Sequence, residues 1–303
     1  MTKREKRRAH YKTLKRGYYH LCTDGWTGGR ICYDDADYVF VVNTLSLLNL
    51  LFPVTVHFYE VMRNHIHLLI SGRGAACVAV FDYLKKRINL NLKEKGHQAL
   101  PPDYDFKLIP IENEEQMRRN IAYMARNASE VQPIVPGGYL WGASMMFFSS
   151  LPRLFETVRA GDLSDRALIR MFRTRQPIPP DRPIHPGLGM ALPQGFVDPA
   201  VFYKVFPTAK EYETKLVKDY EAFVDLADQT GETIRFTQVE ADDILRLELE
   251  RAGLSLDVLN AESRVRYAIL LHRKYRLDVP MVARMLRLST HVIEQALRSK
   301  RFP

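Results

Sequence analysis

The sequence predicts an α+β fold with an antiparallel sheet, continued by an all-helical segment. Three observations predict it. Residues 54–70, VTVHFYEVMRNHIHLLI, hold two apolar extended runs around Arg63-Asn64, a tight-turn signal between paired strands. Around this hairpin, strand-like and helix-like stretches alternate as β–α–β–β–α–β–α up to about residue 145. From residue 208 onward only helical spacing recurs. The first order is that of a ferredoxin-like antiparallel sheet, with its helices expected against one face.

The elements follow in order. Residues 1–17 read as a flexible basic arm, in which Lys3, Arg4, Lys6, Arg7, Arg8, Lys12, Lys15 and Arg16 face a single acid, Glu5. Tyr18 to Thr23 is a short strand, and Gly25, Gly28 and Gly29 make the loop after it. Asp34-Asp35 can cap a helix running to about Leu51, with Val39, Val42, Leu45 and Asn49 at helical spacing, and Pro53 ends it. In the first hairpin strand, alternation should put Val54, Val56, Phe58, Glu60 and Met62 on one face. Gly72 and Gly74 break the chain before a helix over 77–94, where Val80, Leu84, Ile88 and Leu92 are spaced by four. Pro101-Pro102 marks a loop and 106–111 a strand. Asn113 with Gln116 resembles a capping box opening a helix through about Ala128.

Residues 146–207 change character. Short helices at 151–159 and 164–173 precede QPIPPDRPIHPGLGMALPQG, whose proline and glycine density predicts a connector without regular structure. Helices are expected over 209–228, 238–252, 262–276, 280–288 and 290–300. The last three have the lengths and breaks of a helix-turn-helix, turning at Ser289-Thr290. Val292, Ile293, Ala296 and Leu297 should point inward, with Gln295, Arg298 and Arg301 outward. The predicted organisation is a basic arm (1–17), a sheet domain (18–145), a connector (146–207) and a helical domain (208–303). A plain helical module for interaction or oligomerisation is the alternative for the last part.

At 303 residues, 46% hydrophobic and 26% charged, the chain has the composition of a packed globular protein. It has no run of eighteen apolar residues and no apolar stretch behind its basic start, so neither a membrane span nor a signal peptide is expected. Cys22, Cys32 and Cys77 are odd in number and scattered without a CxxC spacing, so neither a disulfide framework nor a zinc knuckle is indicated, and a reducing cytoplasm is expected. A net charge of +9 and a pI of about 9.4 favour a polyanionic partner.

The chemistry gathers at His65-Ile66-His67. Alternation along a strand sends both histidines to one face and Ile66 to the other. Two adjacent imidazoles make half of a metal site, and a solvated pair on a surface strand is the competing reading. On the helix near 115–128, Met117, Ile121, Met124 and Ala128 form one apolar stripe. Tyr123 and Asn127, four apart, share another face with Gln116 and Asn120, offset from the stripe by roughly 60–120°.

With RNHIHLLI in the hairpin and NIAYMARNA on the later helix, residues 15–145 resemble the single-tyrosine HUH transposases, closest to those associated with repetitive extragenic palindromes. The resemblance implies that Tyr123 is the catalytic nucleophile. It implies that His65, His67 and Asn127 hold the metal, Mg²⁺ or Mn²⁺, with zinc allowed by the ligand chemistry. The implied activity is cleavage and strand transfer of single-stranded DNA through a 5′-phosphotyrosine, at hairpin ends, by a homodimer or a monomer at the nucleoid. Candidate DNA contacts are Lys3, Arg4, Arg7, Arg8, Lys85, Lys86, Arg87, Arg119, Arg126, Arg298 and Arg301. Tyr139 and Trp141 are candidates for stacking on unpaired bases, against ordinary packing. The alternatives are an HUH replication initiator or relaxase, and a domesticated DNA-binding regulator without catalysis.

Overall fold

Near-continuous apolar runs make the central strands, and their pairing follows from the hairpin. A computed structural model describes residues 1–25, 29–131, 138–149 and 156–299. The chain divides into two compact units, Met1–Leu216 and Val217–Pro303. The first begins α1 (Lys3–Thr13), β1 (Gly17–Thr23), α2 (Asp35–Leu45), α3 (Leu48–Leu51), β2 (Thr55–Val61), β3 (Ile66–Gly72), α4 (Gly74–Glu94), β4 (Phe106–Ile111) and α5 (Glu114–Val131). The strand order is β2-β3-β1-β4 with every neighbour antiparallel, the split arrangement expected of a ferredoxin-like sheet.

Register decides what stands beside what. Cys22 and Glu60 both lie opposite His67, so the three form one cross-strand row. In the next row His20 and Phe58 flank Leu69. Between Val56 and Phe58 the register shifts at a bulge. Val56 pairs with Ile70 and Phe58 with Leu69, which lie on opposite faces, so the single face expected for Val54 through Met62 is split there. The extra residue, His57, is buried, with Nε2 2.9 Å from the Ser71 hydroxyl.

Helices cover both faces of the sheet, not one. Phe81 of α4 stacks on Phe106 of β4, ring centres 4.4 Å apart, on the face of Leu21 and Leu68. Tyr123 of α5 packs edge-on to His67, 5.7 Å between ring centres, on the opposite face. The reason lies in the strands: β3 is buried at six of its seven positions, and such a strand needs cover on both sides.

The arm expected over residues 1–17 is mostly helix. Thr2 and Glu5 form a capping box at the start of α1, and Tyr11 packs on Phe106 with ring centres 5.4 Å apart. Arg7 pairs with Asp105 at 2.5 Å, Arg4 Nε lies 3.4 Å from the same carboxylate, and Arg8 pairs with Asp82. Acids distant in sequence thus pair with three of the eight basic residues of the run. Gly74 is required by this packing, since a Cβ there would lie 2.0 Å from the Tyr11 carbonyl oxygen. The helix expected from residue 34 to Leu51 is capped by Asp34 but broken after Leu45 into α2 and α3.

The connector is also corrected. Residues up to Leu216 belong to the first unit. They contain β5 (Val158–Arg159), α6 (Asp165–Phe172), β6 (Pro183–His185), β7 (Met190–Ala191) and α7 (Ala200–Val205), with β5-β6-β7 forming a small sheet. Of the helix expected over 151–159, residues 151–155 lie outside the described residues and 158–159 are strand. Asn43 of α2 anchors the segment: its amide donates to the carbonyls of Met171 and Gly189 and accepts from Ala191 N at 2.7 Å. A proline-rich backbone forms few regular ladders, so one buried amide satisfies three of its groups. Phe202 of α7 stacks on Phe147 with ring centres 3.7 Å apart, beside Phe58. Truncating a core ring of this kind costs about 3–5 kcal/mol. Bridges from Val197 to Val56 and from Gly142 to Glu60 cover the free edge of β2.

In the first unit α8 (Ala209–Lys218) begins, and the boundary falls inside it. The second unit holds α9 (Tyr220–Thr230), α10 (Gln238–Arg251), α11 (Ala261–Tyr275), α12 (Val279–Leu286) and α13 (Thr290–Arg298). The single helix expected over 209–228 breaks at Asp219. Between α12 and α13 the backbone turns at Arg287, which has a left-handed φ of 54°, and Ser289 caps α13. Ile293 and Ala296 face inward as expected, but Val292 is 39% exposed. Arg298 is exposed, and Arg301 lies outside the described residues. No helix among the described residues is long and apolar enough to cross a membrane.

One polar cluster joins three helices of this unit. Glu248 of α10 accepts from the Tyr275 hydroxyl of α11 at 2.6 Å, and Arg251 and Lys274 each bridge Glu248 and Glu221 of α9. The hydrogen bonds from Arg251 and Lys274 hold the Glu221 carboxyl down to about 2. A depressed carboxylate contributes stability above its ordinary value and loses it as pH falls through the folded value. Glu221→Gln should therefore lower the melting temperature at neutral pH and have little effect near pH 2. An equal loss at both pH values in thermal melts would show that the charge contributes nothing.

Candidate metal and nucleophile site

Register, the β2–β3 turn and one helix face together build the site. Met62 N donates to His65 O at 2.9 Å, which closes the turn over Arg63-Asn64. His65 and His67 then leave the same face while Ile66 is fully buried. His67 is itself fully buried, which removes the solvated-pair reading. The Nε2 atoms of His65 and His67 lie 3.0 Å apart. Asn127 brings its side-chain amide to 2.9 Å from the same His67 Nε2. Tyr123, one turn earlier on α5, is 2% exposed, with its ring edge-on to both His67 and His20. The structure thus brings His65, His67, Tyr123 and Asn127 together.

The other ring nitrogens are also engaged. His65 Nδ1 lies 2.8 Å from Asn64 Oδ1, and the Asn64 amide nitrogen donates to Gly25 O at 2.6 Å. That anchor leaves the Asn64 oxygen facing the ring, so His65 carries its proton on Nδ1. Gly25 must be glycine here, because a Cβ would lie 2.8 Å from His65 Nδ1. On the inner side His67 Nδ1 lies 2.9 Å from His20 Nε2, and His20 Nδ1 lies 2.9 Å from Asn120 Oδ1. Asn120 donates its amide to the Gln116 carbonyl at 2.8 Å. Both histidines of the pair therefore turn an unprotonated Nε2 to the same point.

This donor set fits a divalent cation. Two ligands at about 2.1 Å from an ion and at right angles to it stand about 3.0 Å apart. Those are the spacings at His67 Nε2. Turned about its last bond, the Asn127 amide offers Oδ1 in place of its nitrogen. His20, Cys22 and His67 form a second buried group of donor atoms within 4.8 Å of one another. The histidine pair was legible in the sequence, but His20 and Asn120 as its inner partners were not. Alternation puts His20 and Cys22 on one face, yet only the strand order brings that face to His67.

Glu60, in the same row as His67, is fully buried against Gly142. Burial pushes its carboxyl well above the usual range, though Ser144 beside it acts the other way.

The expected DNA contacts divide into two groups. Arg4, Arg7 and Arg8 hold Asp105 and Asp82, Lys85 caps the carbonyls of Pro102 and Tyr104, and Arg87 caps those of Phe172 and Arg173. These five serve the fold. Arg126 is buried, and Arg119 pairs with Glu115 at 3.0 Å. Lys3, Lys86 and Arg298 are exposed. Tyr139 is buried and donates to Val61 O at 2.7 Å, and Trp141 stacks on Tyr38. Packing is thus the observed role of both.

No protein-family model matches the sequence, and no curated protein does. Among solved structures, the REP-associated tyrosine transposase bound to a REP hairpin is similar to this chain with a TM-score of 0.36 and 14% identity, over 46% of this chain and 82% of that one.

A neutral buried acid loses favour in the fold as pH rises, because the unfolded chain is free to ionise it. Glu60→Gln should therefore raise the melting temperature relative to the unaltered chain, by an amount that grows from pH 4 to pH 9. A pH-independent difference would mean that Glu60 is not held neutral.

Proposed function

We propose that the chain is a metal-dependent enzyme that cuts and rejoins single-stranded DNA through Tyr123, in the manner of the single-tyrosine HUH transposases it resembles. One observation carries the reading. The Nε2 atoms of His65 and His67 converge at 3.0 Å, the spacing of two ligands at right angles on one divalent ion, and the ring of Tyr123 on the neighbouring helix packs against His67.

His65, His67 and Asn127 are the residues that would hold the ion. When bound, a divalent cation such as Mg²⁺ or Mn²⁺ supplies charge that polarises the scissile phosphate and stabilises the departing oxygen. A tyrosine hydroxyl titrates near ~10 in water and is a weak nucleophile without an electropositive neighbourhood. Tyr123 attacks phosphorus, its proton is lost to solvent, and the bond to the 3′ oxygen breaks. The products are a 5′-phosphotyrosine and a strand ending in 3′-OH. A second 3′-OH reverses the step on a new partner, so rejoining needs no external energy source.

Substrate choice follows from reach. A phosphate entering between a sheet face and α5 suits an unpaired strand better than a stiff duplex. The exposed Arg63 at the hairpin tip, two residues from His65, remains as a backbone contact near the site, whereas the exposed Lys3 and Lys86 stand on α1 and α4 over the opposite face of the sheet, and Arg298 on α13 serves the helix-turn-helix. All four site residues lie together within one chain, which supports a site completed in cis. Asn127 occupies the position four residues after Tyr123, where a two-tyrosine initiator would carry its second tyrosine.

Two outcomes test this. Incubated with Mn²⁺ and a labelled library of single-stranded hairpins, the protein should form a denaturation-resistant adduct that Tyr123→Phe abolishes. An adduct that survives Tyr123→Phe, or none across the library, would sink the mechanism. His67→Ala should abolish cleavage and leave DNA binding largely intact in a gel-shift assay. Loss of both together would make the histidines purely structural.

A further inference from the structure

The metal reading uses one nitrogen of His67 and leaves unexplained a buried histidine and a buried asparagine behind it. His20 is fully buried on β1, and Asn120 is 4% exposed on α5. Together they form a chain with a fixed direction. The Gln116 carbonyl accepts from Asn120 Nδ2, which turns Asn120 Oδ1 toward β1. That oxygen accepts from His20 Nδ1. His20 Nε2 is then without a proton and accepts from His67 Nδ1. Each link determines the next, beginning from a backbone carbonyl that cannot reverse its role.

We propose that His20 and Asn120 are positioning residues that hold His67 in the Nδ1–H tautomer and aim its Nε2 at the cation. The proposal rests on the metal reading above. Asn64, anchored on Gly25, does the same for His65 from the turn. The two supports differ in setting: the Asn64 side chain is partly exposed at a turn, whereas the His20 chain runs through the interface between β1, β3 and α5. Rotation of the His67 ring would break a buried hydrogen bond and leave His20 Nε2 unsatisfied. Loss of such outer partners typically weakens metal binding about 10–100-fold.

The same residues suggest a rival site, since His20, Cys22 and His67 could themselves hold an ion. The geometry favours the relay. An ion there would need His67 Nδ1 and His20 Nε2 as bare donors, and these two atoms already share a hydrogen bond at 2.9 Å. The Cys22 thiol donates to the Thr23 carbonyl at 3.4 Å.

The test uses the full chain and two readouts: Mn²⁺ affinity from the electron paramagnetic resonance of free ion, and the His67 tautomer from long-range ¹H–¹⁵N spectra without metal. The unaltered protein should show Nδ1–H at His67. His20→Phe should weaken Mn²⁺ binding about 10–100-fold and mix the tautomers. His20→Gln, whose amide oxygen can accept from His67, should recover part of both. If His20→Phe fails to fold, Asn120→Leu, which removes only the acceptor behind His20, is read in the same way. Unchanged affinity with an unchanged tautomer in the folded variant would overturn the proposal. So would a sulfur-to-cobalt absorption band in Co²⁺-loaded protein that Cys22→Ser removes, because the ion would then be taken through Nδ1. Absence of Mn²⁺ binding in the unaltered protein would reject the metal reading itself, and the metal-free tautomer signal would still report on the relay.

Discussion

The constraint on which the structure turns is the burial of His67 with both ring nitrogens engaged. A fully buried imidazole needs a partner at each nitrogen, and here the two partners come from different elements. His20 reaches it from β1 and Asn127 from α5, so the central strand pair and the helix above it must keep their relative positions. A slip of one residue between β1 and β3 would send His20 to the other face. Register, helix placement and ring tautomer are one problem here.

The rest of the first unit serves that geometry. The opposite face of the sheet is closed by α2 and α4 with rings such as Phe81 and Phe106. On the site face, α5 is tied by Arg118 to the Val205 carbonyl and by Glu114 to Lys204 of α7. The stack of Phe58, Phe147 and Phe202 packs α7 onto β2. The proline-rich segment therefore belongs to the core that carries the site. Asn43 shows how this is achieved without regular pairing, since a single side chain satisfies backbone groups on three residues of that segment. The basic N-terminus is spent similarly. Arg4, Arg7 and Arg8 bind Asp105 and Asp82, so part of a charge run that suggested a polyanion contact fixes α1 against the loop before β4 and against α4.

Some features were determined by the sequence alone because they depend on neighbours along the chain. Strand alternation fixed the shared face of His65 and His67, and helical spacing fixed that of Tyr123 and Asn127. Capping residues Asp34, Ser164 and Thr237 start their helices by bonds spanning three residues. The strand order was also within reach, because a β–α–β–β–α–β sequence has few ways to close. Other features required the tertiary structure because they depend on residues distant in sequence. The bulge at His57 splits a face that alternation alone would keep whole. Helices on both faces, the folding of residues 1–17 into α1, and the inclusion of residues 146–207 all follow from partners tens to more than a hundred residues away. The site shows the same division: its two halves, His65 with His67 and Tyr123 with Asn127, were legible as local patterns. That His20 and Asn120 stand behind them, 100 positions apart and 2.9 Å from each other, was decided only when β1 paired with β3 beneath α5.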